Sequence, residues 1–168
     1  MSSVLKVSEI QDPTNGNTAL TVDSSGFAST GKASAFSAYA NTSVSVSNTT
    51  HTVIQFNVEN FDTQGWYDTS TYRFTPQIAG YYWLEVRLRW DTATDFDISD
   101  LTLRVNGNVR SNCSWRNERY ETGIASAVVY MNGSTDYADG RIYQDTGSSH
   151  SYRGQNYETM FQGFRILG

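Results

Sequence analysis

From Tyr81 to Trp90 the chain alternates without a break. Tyr82, Leu84, Val86, Leu88 and Trp90 fall on one side, and Tyr81, Trp83, Glu85, Arg87 and Arg89 on the other. A period of two belongs to a β-strand, so this stretch predicts a long strand with one buried face. Its second face carries two aromatics that a solvated surface does not need, which predicts a partner: a second chain, a ligand or another sheet. The same period recurs elsewhere. "HTVIQFNV" sets Val53 and Gln55 against Ile54, Phe56 and Val58; "LTLRVNGNVR" sets Leu101, Leu103 and Val105 against Thr102 and Arg104. The latter runs into Asn106-Gly107, a strong tight-turn signal. "IASAVVYMNG" is apolar on both faces and predicts a buried central strand closed by Asn132-Gly133. In the closing "YETMFQGFRILG", Phe161 and Gly163 alternate with Phe164 and Ile166. Short strands at this spacing, with no helical period between them, predict an all-β sandwich or jelly roll.

The N-terminal residues break the pattern. Two short alternating runs, 4–10 and 19–22, flank the turn formers Asp12-Pro13-Thr14-Asn15-Gly16 and predict a small hairpin. Such a hairpin buries too little to stand alone, so Leu5, Val7, Ile10, Leu20 and Val22 are expected to anchor it on something larger. Ser24-Ser25-Gly26 and Ser29-Thr30-Gly31 read as a hinge. The expected organisation is an anchoring arm over 1–32 and a β head over 33–168.

Composition narrows the possible functions. The 168 residues suffice for one domain with its own core. Aromatics at 14% with charged residues at only 17%, and abundant Ser, Thr, Asn and Gly, suit strands and tight turns. A net charge of -5 with scattered arginines argues against nucleic acid, which needs a concentrated basic surface. A single cysteine, Cys113, excludes an internal disulfide framework, and with only His51 and His150 there is no transition-metal spacing. No segment resembles a signal peptide or a membrane span, so the expected site of assembly is a cytoplasm.

With the strands in order, "AFSAY" (35–39), "IQFNVENFDTQGWYDTSTYRFTPQIAGYYWLEV" (54–86), "LTLRVNG" (101–107), "SAVVYMNGSTDY" (126–137) and "TMFQGFRIL" (159–167) resemble the C1q-like jelly roll. That fold is related in shape to tumour necrosis factor modules. Phe74-Thr75-Pro76 with Gly80-Tyr81-Tyr82 is the most specific element, and Phe161-Gln162-Gly163-Phe164 the second. The resemblance covers 33–168 and implies a homotrimer whose central sheet and C-terminal strands line the threefold axis. Tyr81, Trp83, Arg87, Phe161 and Phe164 are the expected trimer-interface residues, with Arg87 and Arg89 candidates for inter-subunit pairing with Asp95 or Asp97. Two departures stand out: "YADGRIYQ" holds Ala138 and Gly140 where the family alternates valines, predicting a strand that is weaker or differently packed, and "RSNCSWRNERYETG" reads as an individual loop. The arm "LKVSEIQDPTNGNTALTVDSSG" is similar to leaders of small bacteriophage tail-fibre and virion proteins.

Candidate chemistry is sparse. Asp91, Asp95, Asp97 and Asp100 could offer oxygens to calcium, with Asp95 and Asp97 the candidate ligands, yet the stretch lacks an Asp-x-Asp-x-Asp-Gly loop and a closing Glu. No other cofactor is expected. Glu59 with Asp62 could pose as glycosidase carboxylates, and Cys113 with His150 as nucleophile and base, but neither pair sits in a recognisable motif. No enzymatic activity is expected. Asn-x-Ser/Thr patterns at Asn41, Asn48, Asn112 and Asn132 are expected by chance in so Ser/Thr-rich a chain. The loops "DTQGWYDTST" and "SNCSWRNERYETG" gather Trp66, Tyr67, Trp115, Arg116, Arg119 and Tyr120, residue types that dominate recognition sites. They are the expected site for a host glycan or protein, with subunit packing as the plainer alternative.

Together these readings favour a non-enzymatic bacteriophage virion protein on the particle surface, assembled in the host cytoplasm. A short tail fibre or adhesin leads; a capsid decoration protein and a cellular C1q-like binding module are the alternatives. The arm would contact other virion proteins, with neither nucleic acid nor membrane insertion involved.

Overall fold

The apolar side of the 81–90 alternation is fully buried, and the strand that carries it organises everything around it. The computed structural model describes residues 7–11, 18–29, 33–91, 98–116 and 122–166. The chain divides into two compact units, Met1–Ala33 and Ser34–Gly168. In the first, β1 (Glu9–Gln11), β2 (Thr18–Val22) and β3 (Ala28–Ser29) form an antiparallel sheet in that order. Ile10 lies opposite Leu20, a cross-strand apolar pair. The expected hinge at Ser24–Gly26 is instead a turn into a third strand: Asp23 Oδ1 accepts from the Ser25 and Phe27 amides at 2.9 Å each, and Gly26 takes φ +84°.

The second unit contains β4 (Ala35–Tyr39), β5 (Val44–Val46), β6 (Thr52–Val53), β7 (Val58–Asp62), β8 (Tyr67–Asp68), β9 (Arg73–Phe74) and β10 (Gly80–Arg89). It continues with β11 (Ser99–Val105), β12 (Asn108–Trp115), β13 (Thr122–Met131), β14 (Ala138–Gln144), β15 (His150–Tyr152) and β16 (Met160–Arg165). One sheet has the order β13-β10-β16-β4-β7; the other is β12-β11-β14-β9-β8, with β6 also on β14. β15 and β5 pair separately. No helix occurs among the described residues, and the expected all-β jelly-roll sandwich is what the strands build.

Between the sheets lies an aromatic cluster. Phe36 stacks on Phe74 with ring centroids 4.2 Å apart and meets Phe161 edge-on at 4.9 Å. Tyr67 and Phe56 complete the group. The polar tips of the larger side chains are satisfied, as burial requires: the Tyr67 hydroxyl donates to the Phe56 carbonyl at 2.8 Å, Tyr82 to the Ile78 carbonyl at 2.7 Å, and Trp90 Nε1 to Ser99 Oγ at 2.9 Å.

Three expectations need correcting and a fourth is narrowed. Phe161 is fully buried in this cluster, so it faces the subunit's own core and no partner. β13 is an edge strand rather than a central one: Gly123, Ala125, Ala127, Val129 and Met131 turn inward while Ile124, Ser126, Val128 and Tyr130 turn out. β14, expected to be weaker or differently packed, is a central strand between β11 and β9 and so the second of these. Its Gly140 is a packing requirement, because a Cβ there would stand 2.9 Å from Val86 Cγ1 and 3.1 Å from Phe56 Cε2 across the sandwich. Finally, much of the expected 110–123 loop is strand β12 up to Trp115.

Phe161→Ala should therefore cost stability rather than assembly, by about 3–5 kcal/mol, the range for large aromatics deleted from a core. Gly140→Ala should cost about 1–3 kcal/mol through overpacking. Denaturant unfolding at fixed protein concentration checks both; a loss below about 1 kcal/mol for Phe161→Ala would contradict its place in the core.

Candidate functional site

Burying one side of β10 turns the other outward, and register lines up its neighbours. Across the five-stranded sheet Tyr81 lies opposite Tyr130, and Trp83 lies between Val128 and Phe164. Rings meet across strands: Tyr81 and Tyr130 at 5.5 Å, Trp83 and Phe164 at 5.3 Å. These residues are open to solvent to a degree unusual for their type, with Tyr81 at 59%, Val128 and Tyr130 at 57% and Phe164 at 47%. Ile124 continues the patch along β13.

Beside this apolar band runs a polar row. Glu85 lies between Ser126 and Gln162. Its Oε1 accepts from Gln162 Nε2 at 3.0 Å and from Arg87 Nη2 at 3.4 Å. At the far end of β10, Arg89 Nη1 meets Glu158 Oε1 at 2.5 Å; the same oxygen takes Arg153 Nη1 at 3.2 Å, and Arg153 Nε reaches Asp91 at 3.2 Å. Arg89 thus finds its acid within its own chain. Asp95 and Asp97, offered both as its partners and as calcium ligands, lie outside the described residues.

The loop-borne recognition cluster is not assembled as expected. Tyr67 is buried, which pushes its hydroxyl's pKa up, and it bonds inside the core. Trp115 is also buried, closing the sandwich between β12 and β13 over Gly123, where a Cβ would come within 2.3 Å of its ring. Trp66 is half-buried against Phe74, their centroids 6.5 Å apart. Arg116 is exposed, while Arg119 and Tyr120 lie outside the described residues. In the arm, Val7 and Ile10 are exposed, Leu20 and Val22 half-buried, and Leu5 lies outside the described residues. Ile124, Val128 and Tyr130 went unnoticed because "IASAVVYM" reads apolar throughout. The available signal was size: its small residues, Gly123, Ala125 and Ala127, share one side, and that is the side a crowded core accepts.

The outward face of the six-stranded sheet is charged instead. Arg104 of β11 lies opposite Asp139 of β14, and the Ala138–Phe74 pairing puts Arg73 opposite Asp139 on its other flank. Arg73 in turn pairs Asp68. Arg141, two residues along β14, brings Nε to 4.0 Å from Asp139 Oδ2. Only 1% of Asp139 is exposed, and burial raises its pKa above the ordinary carboxylate range although Arg141, Arg104 and Arg73 pull it down. Asp68 behaves oppositely: the Ser70 hydroxyl, assisted by the Ser70 amide and the Thr71 hydroxyl, holds it at about 2.

Comparison with known proteins places these features. A family model described as the C1q domain matches residues 35–166. No curated relative matches. Among solved structures the chain is similar to Eiger TNF from S. frugiperda, at 13% identity with TM-score 0.57 over 80% of this chain and 93% of that one. Murine APRIL superposes with TM-score 0.62 at 11% identity, over 80% and 100% of the two chains. The globular domain of zebrafish complement 1qA gives TM-score 0.52 at 17% identity, over 80% and 98%.

The burial of Asp139 carries a pH signature. A carboxyl whose folded-state pKa is raised costs stability wherever it is ionised, and that cost fades as pH falls through the raised value. Asp139→Asn should therefore raise the Tm at neutral pH, with the gain shrinking toward about pH 4, near the unperturbed carboxylate range. Thermal unfolding of both proteins at the two pH values checks this; a gain that grows as pH falls would reverse the assignment.

Proposed function

The chain belongs to the C1q domain family, and from that premise we propose that it is a homotrimeric, non-catalytic binding head displayed on a bacteriophage particle, most directly as a short host-attachment protein. C1q- and TNF-like domains are generally binding modules that assemble as trimers, which supports that class of activity. The observation that carries the reading is the outward apolar band of the five-stranded sheet: Tyr81, Trp83, Val128, Tyr130 and Phe164 form a contiguous surface that water alone does not stabilise. A second copy of this chain is the occupant that its family supplies. The Glu85–Gln162–Arg87 row gives that contact a polar register, the kind of feature that favours one alignment over others.

The particle half of the proposal rests on the arm. Its sequence is similar to virion-protein leaders, and Val7, Ile10 and Phe27 leave it with exposed apolar side chains to offer a neighbour. Attachment is favoured over shell decoration because the leader is similar to those of tail fibres.

Two experiments test the halves separately. The mass of the purified protein at micromolar concentration should be three times 18.8 kDa, and Trp83→Glu should shift it to the monomer while leaving the sandwich folded. An intact Trp83→Glu trimer would overturn the interface. Gold-labelled antibody on intact virions should mark the tail; label spread over the capsid would replace attachment with decoration, and particles without label would remove the virion assignment.

A further inference from the structure

The charged face of the six-stranded sheet carries a pair of groups whose bonding is incomplete. Asp139 Oδ1 accepts no hydrogen bond and Arg141 Nε donates none, although both are shielded from solvent. Buried polar groups are normally paired, and leaving a charged one open is costly. The two side chains sit two residues apart on one face of β14, with Nε 4.0 Å from the carboxylate's other oxygen. An open acceptor beside an open donor fits a group that accepts and donates at once. A hydroxyl does both, whereas a carboxylate or phosphate only accepts and an ammonium only donates.

The surroundings narrow the class further. The acids on this face are Asp68, Asp100 and Asp139; the bases are Arg73, Arg104 and Arg141. Their charges cancel, so the face has no net attraction for an anion. Asp68 and Asp100 already accept bonds from Ser70, Thr71 and Ser114, leaving Asp139 as the open carboxylate. Aromatic rings lie along the same segment: Tyr137, two residues from Asp139, lies under the Arg73 guanidinium at 3.9 Å, and Tyr143, opposite Asp100, meets His51 at 4.9 Å. Guanidinium forks, a carboxylate and ring faces together suit a polyhydroxylated ring.

We propose that this face binds a neutral saccharide, with one sugar hydroxyl accepting from Arg141 Nε–H and donating to Asp139 Oδ1, and with Arg73 and Arg104 flanking the ring. This deepens the binding-head reading and rests on it for the premise that the molecule recognises a surface. The Arg141 side chain is 28% exposed, so the donor of the pair is carried by a side chain that reaches solvent. Recognition thereby sits on strands of the sheet rather than on the loops where aromatics are most concentrated.

The test uses the full chain labelled with nitrogen-15 and observed by NMR at its arginine Nε–H groups. It is titrated with the methyl pyranosides of glucose, galactose, mannose and N-acetylglucosamine. The expected result is a saturable shift of the Arg141 signal, together with that of Arg73, for at least one of the four. Arg141→Lys keeps the charge and removes Nε–H; followed through the Arg73 signal, its affinity should fall about tenfold or more, the worth of one hydrogen bond to a charged group. No saturable shift with any of the four, the outcome if only water fills the gap, overturns the proposal. So does an unchanged affinity in Arg141→Lys, which would put the sugar elsewhere. Measuring mass on the same sample separates the two readings: shifts on a monomer keep the site and overturn the trimer, while a trimer without shifts overturns the site and leaves the trimer standing.

Discussion

A strand of alternating residues has two faces and cannot satisfy both with one core. In β10 the inward set, Tyr82 to Leu88, fills the middle of the sandwich with no exposure at all. That requirement fixes register, since a slip of one residue would carry Tyr81, Trp83, Glu85 and Arg87 into the core and bury two charges there. Everything on the outer face follows from it. Trp83 meets Phe164 and Val128 because β16 and β13 pair in the only phase that keeps Gly163 and Ala127 against Leu84. Core and interaction surface are two consequences of one pattern.

The same constraint explains the glycines. Gly163 gives room to the Leu84 side chain and the Trp83 carbonyl of the neighbouring strand, and Gly140 admits Val86 and Phe56, so the sheets can close to contact distance there. Neither position is an open turn. In each, the missing Cβ is volume given to a larger neighbour, so these residues belong to the core as much as Phe36 does.

How much of this the sequence disclosed depended on whether burial was a property of the strand or of its neighbours. β10 and β11 carry their own alternation and were legible outright, and so was the fold class; β16 alternates too, but Phe161 was expected outward with Phe164 although the two fall on opposite faces. β13 and β14 were not legible outright. Ala125 and Ala127 look interchangeable with Val128 until β13 proves to be an edge strand with an open outer side, and Gly140 looks like a weakness until Phe56 is seen against it. The loop aromatics misled for a related reason: Tyr67 and Trp115 have the composition of a recognition site, but a large ring beside a sandwich edge gains more by closing the core than by facing water. The Asp139 cluster left no periodic trace, because Arg73, Arg104 and Asp139 come from three distant segments and become neighbours only through strand pairing.

The two outward faces differ in the kind of partner each can hold. On the five-stranded sheet, apolar area is large and continuous, and a polar row through Glu85 runs beside it. Such a surface gains by excluding water over a wide area, which suits a rigid protein of matching shape. On the six-stranded sheet the side chains are long, charged and balanced, and bonds are left open near the centre. A protein partner there would have to desolvate six charged groups at once, a cost that rarely returns as affinity. A small ligand that replaces water at only one or two of them avoids most of that cost. The proposed division of labour, assembly on one face and recognition on the other, therefore rests on how each sheet distributes its charge.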